Sequence, residues 1–180
     1  EASPLLPSVY LNTLWEGCRC LLCGKDHDTD YAGFTCADCG DEGILDARYD
    51  LSSGFRSADL AGSRGQWVFV HFWASWCGPC RKEMPTIQAI FPKFDASQLE
   101  IVLINTAESE DTVFAFLAEV APDITPLMDS DGLVTEQWQP RGLPATFFVD
   151  PDGRLQYLAL GGRPWDSPEY LEFVQRLLGQ

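Results

Sequence analysis

The residues best suited to chemistry in this sequence are seven cysteines, which fall into two groups. A pair of cysteines separated by two residues can close a small disulfide ring or supply half of a metal site. The separation of the groups predicts two modules that use sulfur in different ways. The N-terminal group comprises Cys18, Cys20, Cys23, Cys36 and Cys39, and the second group is Cys77 and Cys80.

The Cys77–Cys80 pair lies between a predicted strand and a predicted helix. At a helix start, unpaired N–H groups and the positive end of the helix dipole stabilise a thiolate. Arg81 and Lys82 add positive charge, and Pro79 fixes the backbone of the first turn. Half of a metal site or a structural disulfide would use the same spacing, but the strand–helix context favours redox chemistry. We therefore predict that Cys77 is the exposed attacking thiol and Cys80 the more buried resolving thiol.

The N-terminal cysteines form two CxxC knuckles, each followed by a glycine. Four thiolates at this spacing can surround Zn²⁺ tetrahedrally. A segment this short and polar cannot bury a core of its own, and metal binding would supply the missing folding energy. We predict a structural zinc ion bound by Cys20, Cys23, Cys36 and Cys39.

Several alternatives to this zinc site remain open from the sequence. The same cysteines would form two disulfides in an oxidising compartment, and their spacing also suits rubredoxin-like iron. Cys18 is a spare thiol that would compete as a ligand or form a disulfide. His27 is a weaker substitute ligand, and its surroundings favour a histidine in a surface loop.

The pattern of apolar residues divides the chain into three parts. Residues 1–17 are predicted to be an N-terminal arm, residues 18–50 the cysteine-rich module, and residues 51–180 an α/β domain. Within that domain the pattern predicts a central mixed sheet covered by helices on both faces. The predicted strands are 67–73, 99–104, 127–128, 145–149 and 155–160, and the predicted helices are 79–94, 111–120, 134–138 and 167–178.

Charge and hydropathy limit the partners of this chain. The formal net charge is −15, which makes nucleic acid and anionic membranes unsuitable partners. The longest apolar runs are too short to span a bilayer, so we expect no transmembrane segment. Because the sequence starts at Glu1 rather than methionine, we expect a processed or trimmed N-terminus.

The segment Val70-His-Phe-Trp-Ala-Ser-Trp-Cys-Gly-Pro-Cys80 resembles the active-site segment of thioredoxins. Its continuation, Arg81-Lys-Glu-Met-Pro85, and the later Gly142-Leu-Pro-Ala-Thr-Phe-Phe-Val-Asp150 are similar to the TlpA/ResA/CcmG branch of thioredoxin-like proteins. The resemblance covers residues 55–180 and implies a thioredoxin fold, with residues 105–130 as the insertion of that branch.

The resemblance also implies roles for individual residues. Pro144 would be the cis-proline facing the disulfide, and Leu143 would present its backbone to a bound substrate. Glu83 would match an acidic residue that this branch uses near the active site. Two positions depart from the thioredoxin pattern: His71 stands where thioredoxins have a buried aspartate, and Leu143 replaces a small or β-branched residue.

Glu83 and His71 are the two groups best placed to handle protons near Cys80. Glu83 follows Cys80 by one helical turn, and His71 lies on the strand leading into the site. A base can accept the proton of a buried thiol at the moment of attack. The alternatives are that Glu83 is a solvated residue of the first helical turns and that His71 is a packed strand histidine.

A second resemblance concerns the cysteine-rich module. The stretch from Cys36 to Asp50 looks like the zinc-ribbon knuckle at the N-terminus of threonine-synthase-like enzymes. A zinc ribbon ahead of a thioredoxin domain also resembles the zinc-containing thioredoxins. These similarities imply a small zinc-ribbon module and none of the pyridoxal chemistry.

Together these observations predict a thiol–disulfide oxidoreductase that reduces disulfides in protein substrates and needs an upstream electron donor. Partners would contact a surface formed by Trp76, Gly78, Pro79 and Leu143. The rival hypothesis is a subunit that docks into a larger assembly through its N-terminal arm. Zinc thiolates favour a reducing compartment, whereas the branch resemblance favours an exported or organellar one, so the sequence leaves the compartment open.

Overall fold

The structure is a computed structural model that describes residues 15–20, 22–28, 36–40, 45–49, 63 and 65–179. Most of the predicted arm and residues 51–62 of the predicted α/β domain lie outside these residues, so docking through the arm stays a prediction. The first strand begins at Trp15, and the predicted boundary at residue 17 therefore falls inside a strand. Within the described part of the chain, no helix has the length and apolar character needed to cross a membrane.

The N-terminal module is a small antiparallel sheet. Its strands are β1 (Trp15–Cys20), β2 (Asp26–His27) and β3 (Leu45–Tyr49), in the order β2-β1-β3. An ion pair of 2.8 Å between Arg19 Nε and Asp26 Oδ1 joins β1 to β2. The turn between these strands carries the first CxxC knuckle, so the sheet holds that knuckle at its end.

The second sheet has five strands in the order β6-β5-β4-β7-β8. The pairs β4–β5 and β5–β6 are parallel, and the pairs β4–β7 and β7–β8 are antiparallel. This arrangement confirms the predicted mixed sheet. Its strands are β4 (Trp67–Trp73), β5 (Leu99–Thr106), β6 (Leu127–Asp129), β7 (Ala145–Val149) and β8 (Leu155–Leu160).

Helices flank this sheet, as the sequence predicts. They are α1 (Gly78–Ile90), α2 (Glu110–Val120), α3 (Leu133–Trp138) and α4 (Pro168–Leu178). The first helix ends before the predicted residue 94 and continues as a 3-10 turn, Phe91–Lys93. Pro92 explains the early end, because proline has no N–H to extend the α-helical hydrogen-bond ladder.

Every residue of the central strand β4 is buried. Since side chains alternate along a strand, Phe69 and Trp73 pack on one face with α1, α2 and α4, while Val70 and Phe72 pack on the other. Burial on both faces fixes the register of β4. The loop that leaves its carboxyl end is therefore held in place by the core.

The two sheets approach each other at one side of the molecule. Residues of β3 lie within 8 Å, Cα to Cα, of residues of β8, which is the last strand in the order of the larger sheet. The N-terminal module thus lies beside the edge of the larger sheet.

Candidate functional site

Cys77 and Cys80 form a disulfide at the start of α1. Cys77 is the N-cap of this helix, and its sulfur accepts a hydrogen bond of 3.3 Å from the backbone N–H of Cys80. Pro79 occupies the first turn, where its missing N–H costs nothing. The expected placement of the pair between a strand and a helix is confirmed.

The two cysteines of the disulfide differ little in exposure to solvent. Cys77 is 5% exposed in the disulfide form, and Cys80 is fully buried. Cys77 is therefore the more accessible residue of the pair, although the disulfide lies inside the hydrophobic cluster that contains Trp73 and Ala74. That reduced Cys77 is an exposed thiol stays a prediction. The neighbouring Trp76 is 69% exposed and forms the rim.

Two further backbone segments lie at the end of the sheet where β4 leads to α1. The Leu143–Pro144 peptide bond is cis, as the resemblance implies. Because Ala145 pairs with Phe72, this bond lies at the end of β4 from which the loop to Cys77 leaves. Leu143 is partly buried against the cluster that contains both cysteines.

The other segment carries Gly162, which the sequence reasoning missed. A Cβ atom at this position would lie 3.2 Å from both the Cβ and the carbonyl oxygen of Pro79. The absence of a side chain is what permits this close approach to the helix start.

Glu83 is buried, not solvated, and it contacts His71. The His71 Nε2 and Glu83 Oε1 atoms are 3.2 Å apart, and the side chains are 0% and 2% exposed. The other carboxylate oxygen, Oε2, accepts hydrogen bonds from the backbone N–H of Arg163 at 3.0 Å and from Trp165 Nε1 at 3.3 Å. On the far side, His71 Nδ1 lies 2.8 Å from the Thr146 hydroxyl.

These contacts form a buried polar chain from α1 across β4 to β7. The sequence identified Glu83 and His71 separately but missed Thr146, Arg163 and Trp165. Their partnership depends on strand register and on a loop distant in the sequence, neither of which the local pattern reveals. Buried polar groups are stable only when paired, so this chain fixes the carboxylate within the core.

Glu108 is another residue that the sequence reasoning missed. Its carboxylate hydrogen-bonds the loop before Cys77 through Ser75. One available signal was its position two residues after the end of β5, the parallel neighbour of β4, because neighbouring parallel strands end at the same edge of a sheet.

The N-terminal cysteines converge as the sequence predicts. The sulfur atoms of Cys20, Cys23, Cys36 and Cys39 all lie within 4.8 Å of one another, and none of the four is in a disulfide. The Cys20–Cys39 and Cys23–Cys36 sulfur distances are 3.7 and 3.6 Å. This cluster is compatible with metal binding. The Cys18 side chain lies outside the described part of the chain.

His27 is not in a surface loop, which corrects the sequence interpretation. It lies in β2 with 7% exposure, and its side chain hydrogen-bonds Cys36. Burial opposes ionisation of Cys36, but hydrogen bonds from the backbone N–H groups of Asp38 and Cys39 and from His27 lower its pKa to about 6. Cys36 is therefore the cysteine of this cluster favoured as a thiolate, the form that binds metal ions, whereas burial raises the pKa of Cys20 and a hydrogen bond with Cys23 raises that of Cys39.

A mixed five-stranded sheet with Cys-Gly-Pro-Cys at the start of α1 and a cis-proline before β7 defines a protein of the thioredoxin fold. More specifically, the chain belongs to the AhpC/TSA family, whose model matches residues 48–158.

Individual relatives are consistent with this assignment. The thiol-disulfide oxidoreductase ResA of Bacillus subtilis is 31% identical over 103 residues, which cover 57% of this chain and 58% of that protein. A ResA of Bacillus cereus is 28% identical over 159 residues, or 86% of this chain and 91% of the relative. A crystal structure assigned as the thiol:disulfide interchange protein DsbE of Chlorobium tepidum superposes with a TM-score of 0.60 and 30% identity, covering 67% and 85% of the two chains. These relatives support the resemblance to the TlpA/ResA/CcmG branch.

Proposed function

We propose that this protein is a thiol–disulfide oxidoreductase that reduces disulfide bonds in protein substrates. The observation that carries the proposal is the Cys77–Cys80 disulfide at the N-terminus of α1, together with the cis Leu143–Pro144 bond at the end of β4 that leads to Cys77. The family of the chain and the names of its ResA and DsbE relatives agree with this activity.

The reaction proceeds by two exchanges. The thiolate of reduced Cys77 attacks one sulfur of a substrate disulfide, forming a mixed disulfide and releasing one substrate thiolate. Cys80 then loses its proton and attacks the Cys77 sulfur, which closes the Cys77–Cys80 disulfide and releases the second substrate thiolate. Two electrons pass to the substrate, so a dithiol donor must reduce the pair again before the next cycle.

Glu83 is the residue that we propose accepts the proton of Cys80. Burial disfavours the thiolate that the second exchange requires, and a nearby base offsets that penalty. The two residues lie one turn apart in α1, and both are buried. The hydrogen bonds from Arg163 and Trp165 hold the carboxylate in a fixed position.

The surface that would receive a substrate surrounds the disulfide. Trp76 offers a large exposed indole beside Cys77, and Gly78 and Pro79 form the exposed start of the helix. Leu143 lies before the cis-proline and would present its backbone to an extended segment of the substrate. We propose these four residues as the contact surface.

Trapping of mixed disulfides tests the redox proposal. In Cys80→Ser the intermediate cannot be resolved, so disulfide-linked complexes with partner proteins should accumulate on a non-reducing gel. In Cys77→Ser no attacking thiol remains, and the complexes should be absent. Equal trapping by both variants would refute the assignment, and wild-type protein that fails to speed insulin reduction by dithiothreitol would refute the activity.

For the N-terminal cluster, we propose one structural zinc ion per chain. With Zn–S bonds of about 2.3 Å, the edges of a tetrahedron of four sulfurs measure about 3.8 Å. The distances of 3.6 and 3.7 Å fit this value, whereas a disulfide requires about 2.05 Å. The hydrogen bond from His27 to Cys36 would orient that ligand.

Elemental analysis tests the zinc site. Purified protein should contain one zinc per chain, and Cys39→Ser should lose it. Replacing Asp38 by alanine is the matched control: Asp38 is an exposed residue between the last two ligands, and losing its exposed ion pair with Lys25 should leave the metal bound. Bound iron would replace the proposal with a rubredoxin-like site, and metal-free protein with four fewer titratable thiols would indicate disulfides.

A further inference from the structure

Ser75, two residues before Cys77, is held at each of its polar groups. Its backbone N–H donates to Glu108 Oε2 at 2.7 Å, and its hydroxyl donates to Glu108 Oε1. Its carbonyl oxygen accepts a hydrogen bond of 3.1 Å from Arg81 Nη1. A loop residue fixed at three points by two side chains has little conformational freedom left.

The two residues that hold Ser75 are themselves anchored. Glu108 Oε2 also accepts from Asn105 Nδ2 at 2.8 Å, and Asn105 is a fully buried residue of β5. The Arg81 guanidinium lies 4.6 Å from the centroid of the Phe116 ring in α2, a cation–π contact. The loop before Cys77 is thus tied to β5, α1 and α2.

The residue before Glu108 has an unusual backbone conformation. Ala107 has a φ of 55°, a left-handed conformation that residues with a Cβ rarely adopt. Its N–H donates to the Asp129 carbonyl oxygen at 2.9 Å, which holds the turn. Such conformations persist where the surrounding structure enforces them, and they cluster at functional sites.

We propose that Glu108 is a positioning residue that holds Ser75 and thereby orients Trp76 and Cys77 for attack on a protein disulfide. Trp76 is mostly exposed, so it is positioned through its two neighbours: Cys77 at the helix start, and Ser75, which its hydrogen bonds to Glu108 hold in a clamp. A preorganised loop meets its partner without first being ordered, which raises the rate of productive encounter. This inference rests on the proposed thiol–disulfide activity.

The test compares reduced wild type with Glu108→Gln, Ser75→Ala and the double variant. The readout is the rate of mixed-disulfide formation with a disulfide-bonded peptide, measured by rapid mixing. Loss of the charged acceptor should slow this rate about tenfold in Glu108→Gln, whereas Ser75→Ala keeps the backbone contact and should lose about threefold. The matched control is Glu110→Gln, which removes the same charge from an exposed position of α2 and should react as wild type.

Comparing the double variant with the two single variants distinguishes a positioning role of Glu108 from its other possible roles. If both residues act through one clamp, the double variant should be no slower than Glu108→Gln alone. Multiplied effects, or a peptide rate that Glu108→Gln leaves unchanged, would overturn the inference. The inference would also be overturned if the slower peptide reaction of Glu108→Gln were explained by a shift in the pH profile of Cys77 alkylation by iodoacetamide. That result would indicate a charge effect on the Cys77 thiolate.

Two further outcomes are distinguishable from these. If Glu108→Gln does not fold, Ser75→Ala tests the proposal alone. A threefold slower formation of the mixed disulfide with an unshifted alkylation profile would support the clamp, and an unchanged rate would overturn it. A threefold change is on the order of the loss of one hydrogen bond. If wild type itself forms no mixed disulfide with the peptide, the proposed function fails, and the failure is then not specific to the clamp.

Discussion

Replacing Glu83 by glutamine removes the proposed proton acceptor while leaving its hydrogen bonds intact. The glutamine oxygen can still accept from the Arg163 N–H and from Trp165 Nε1. Its amide group would face His71 Nε2, which can accept if Nδ1 donates to the Thr146 hydroxyl. Because no buried group need lose its partner, the free energy of unfolding should fall by only about 1 kcal/mol.

The kinetic effect should be much larger. A positioned general base contributes about a hundredfold or more, so the exchange in which Cys80 attacks should slow about a hundredfold in Glu83→Gln. The first attack by Cys77 should change little, because its thiolate is stabilised by the helix start. His71→Ala should show the opposite balance: a smaller kinetic effect and a loss of about 3 kcal/mol in stability, since it leaves a cavity and an unpartnered carboxylate oxygen.

Rapid mixing of reduced protein with a disulfide-bonded peptide resolves the two steps, and thermal unfolding supplies the stabilities. Glu172→Gln is the control, because Glu172 is an exposed residue of α4. If the resolving rate of Glu83→Gln and its pH dependence match wild type, the carboxylate is a structural partner of His71 and the proton-accepting role must be abandoned.

The remaining predictions concern the surroundings of this pair. Thr146→Val should lower the free energy of unfolding by about 1–2 kcal/mol, because His71 Nδ1 would lose its hydrogen-bond partner in the core. Thermal unfolding measures this loss, and an unchanged melting temperature would show that the contact contributes nothing. Gly162→Ala should destabilise the protein by about 1 kcal/mol or more and slow mixed-disulfide formation, because the added methyl group crowds Pro79. Gly179→Ala, which meets nothing closer than 3.6 Å, is its control, and equal behaviour of the two variants would contradict the packing argument.

The alternation and length of the apolar segments predicted the larger sheet well. The strands 145–149 and 155–160 agree with β7 and β8 residue for residue, and β5 extends only two residues beyond its predicted end. These segments are buried where their pattern is strongest, so local sequence and tertiary packing favour the same structure. The helix end at Ile90 was missed because the apolar periodicity continues past the point where Pro92 stops the hydrogen-bond ladder.

The cysteine pairs were predictable because their chemistry is encoded in local spacing. The partners of Glu83 were not, because Arg163 and Trp165 are about eighty residues away and reach the site through a loop. The left-handed conformation of Ala107, which precedes Glu108, was not predictable either, because no glycine in the sequence there indicates a positive φ. His27 was misjudged because a two-residue strand is too short to produce a periodic pattern.

The position of β3 beside β8 bears on how copies of this chain behave at high concentration. The last strand of an open sheet presents backbone donors and acceptors that recruit strands from other molecules. Here β3 of the N-terminal module lies close to β8, where it would hinder such recruitment. If the module folds only around the proposed zinc ion, removal of that ion would uncover the edge, and the strong negative charge of the chain would be left to oppose aggregation. The metal content of the N-terminal module would then govern the solubility of the whole chain as well as the folding of that module, although the redox centre lies in the larger domain.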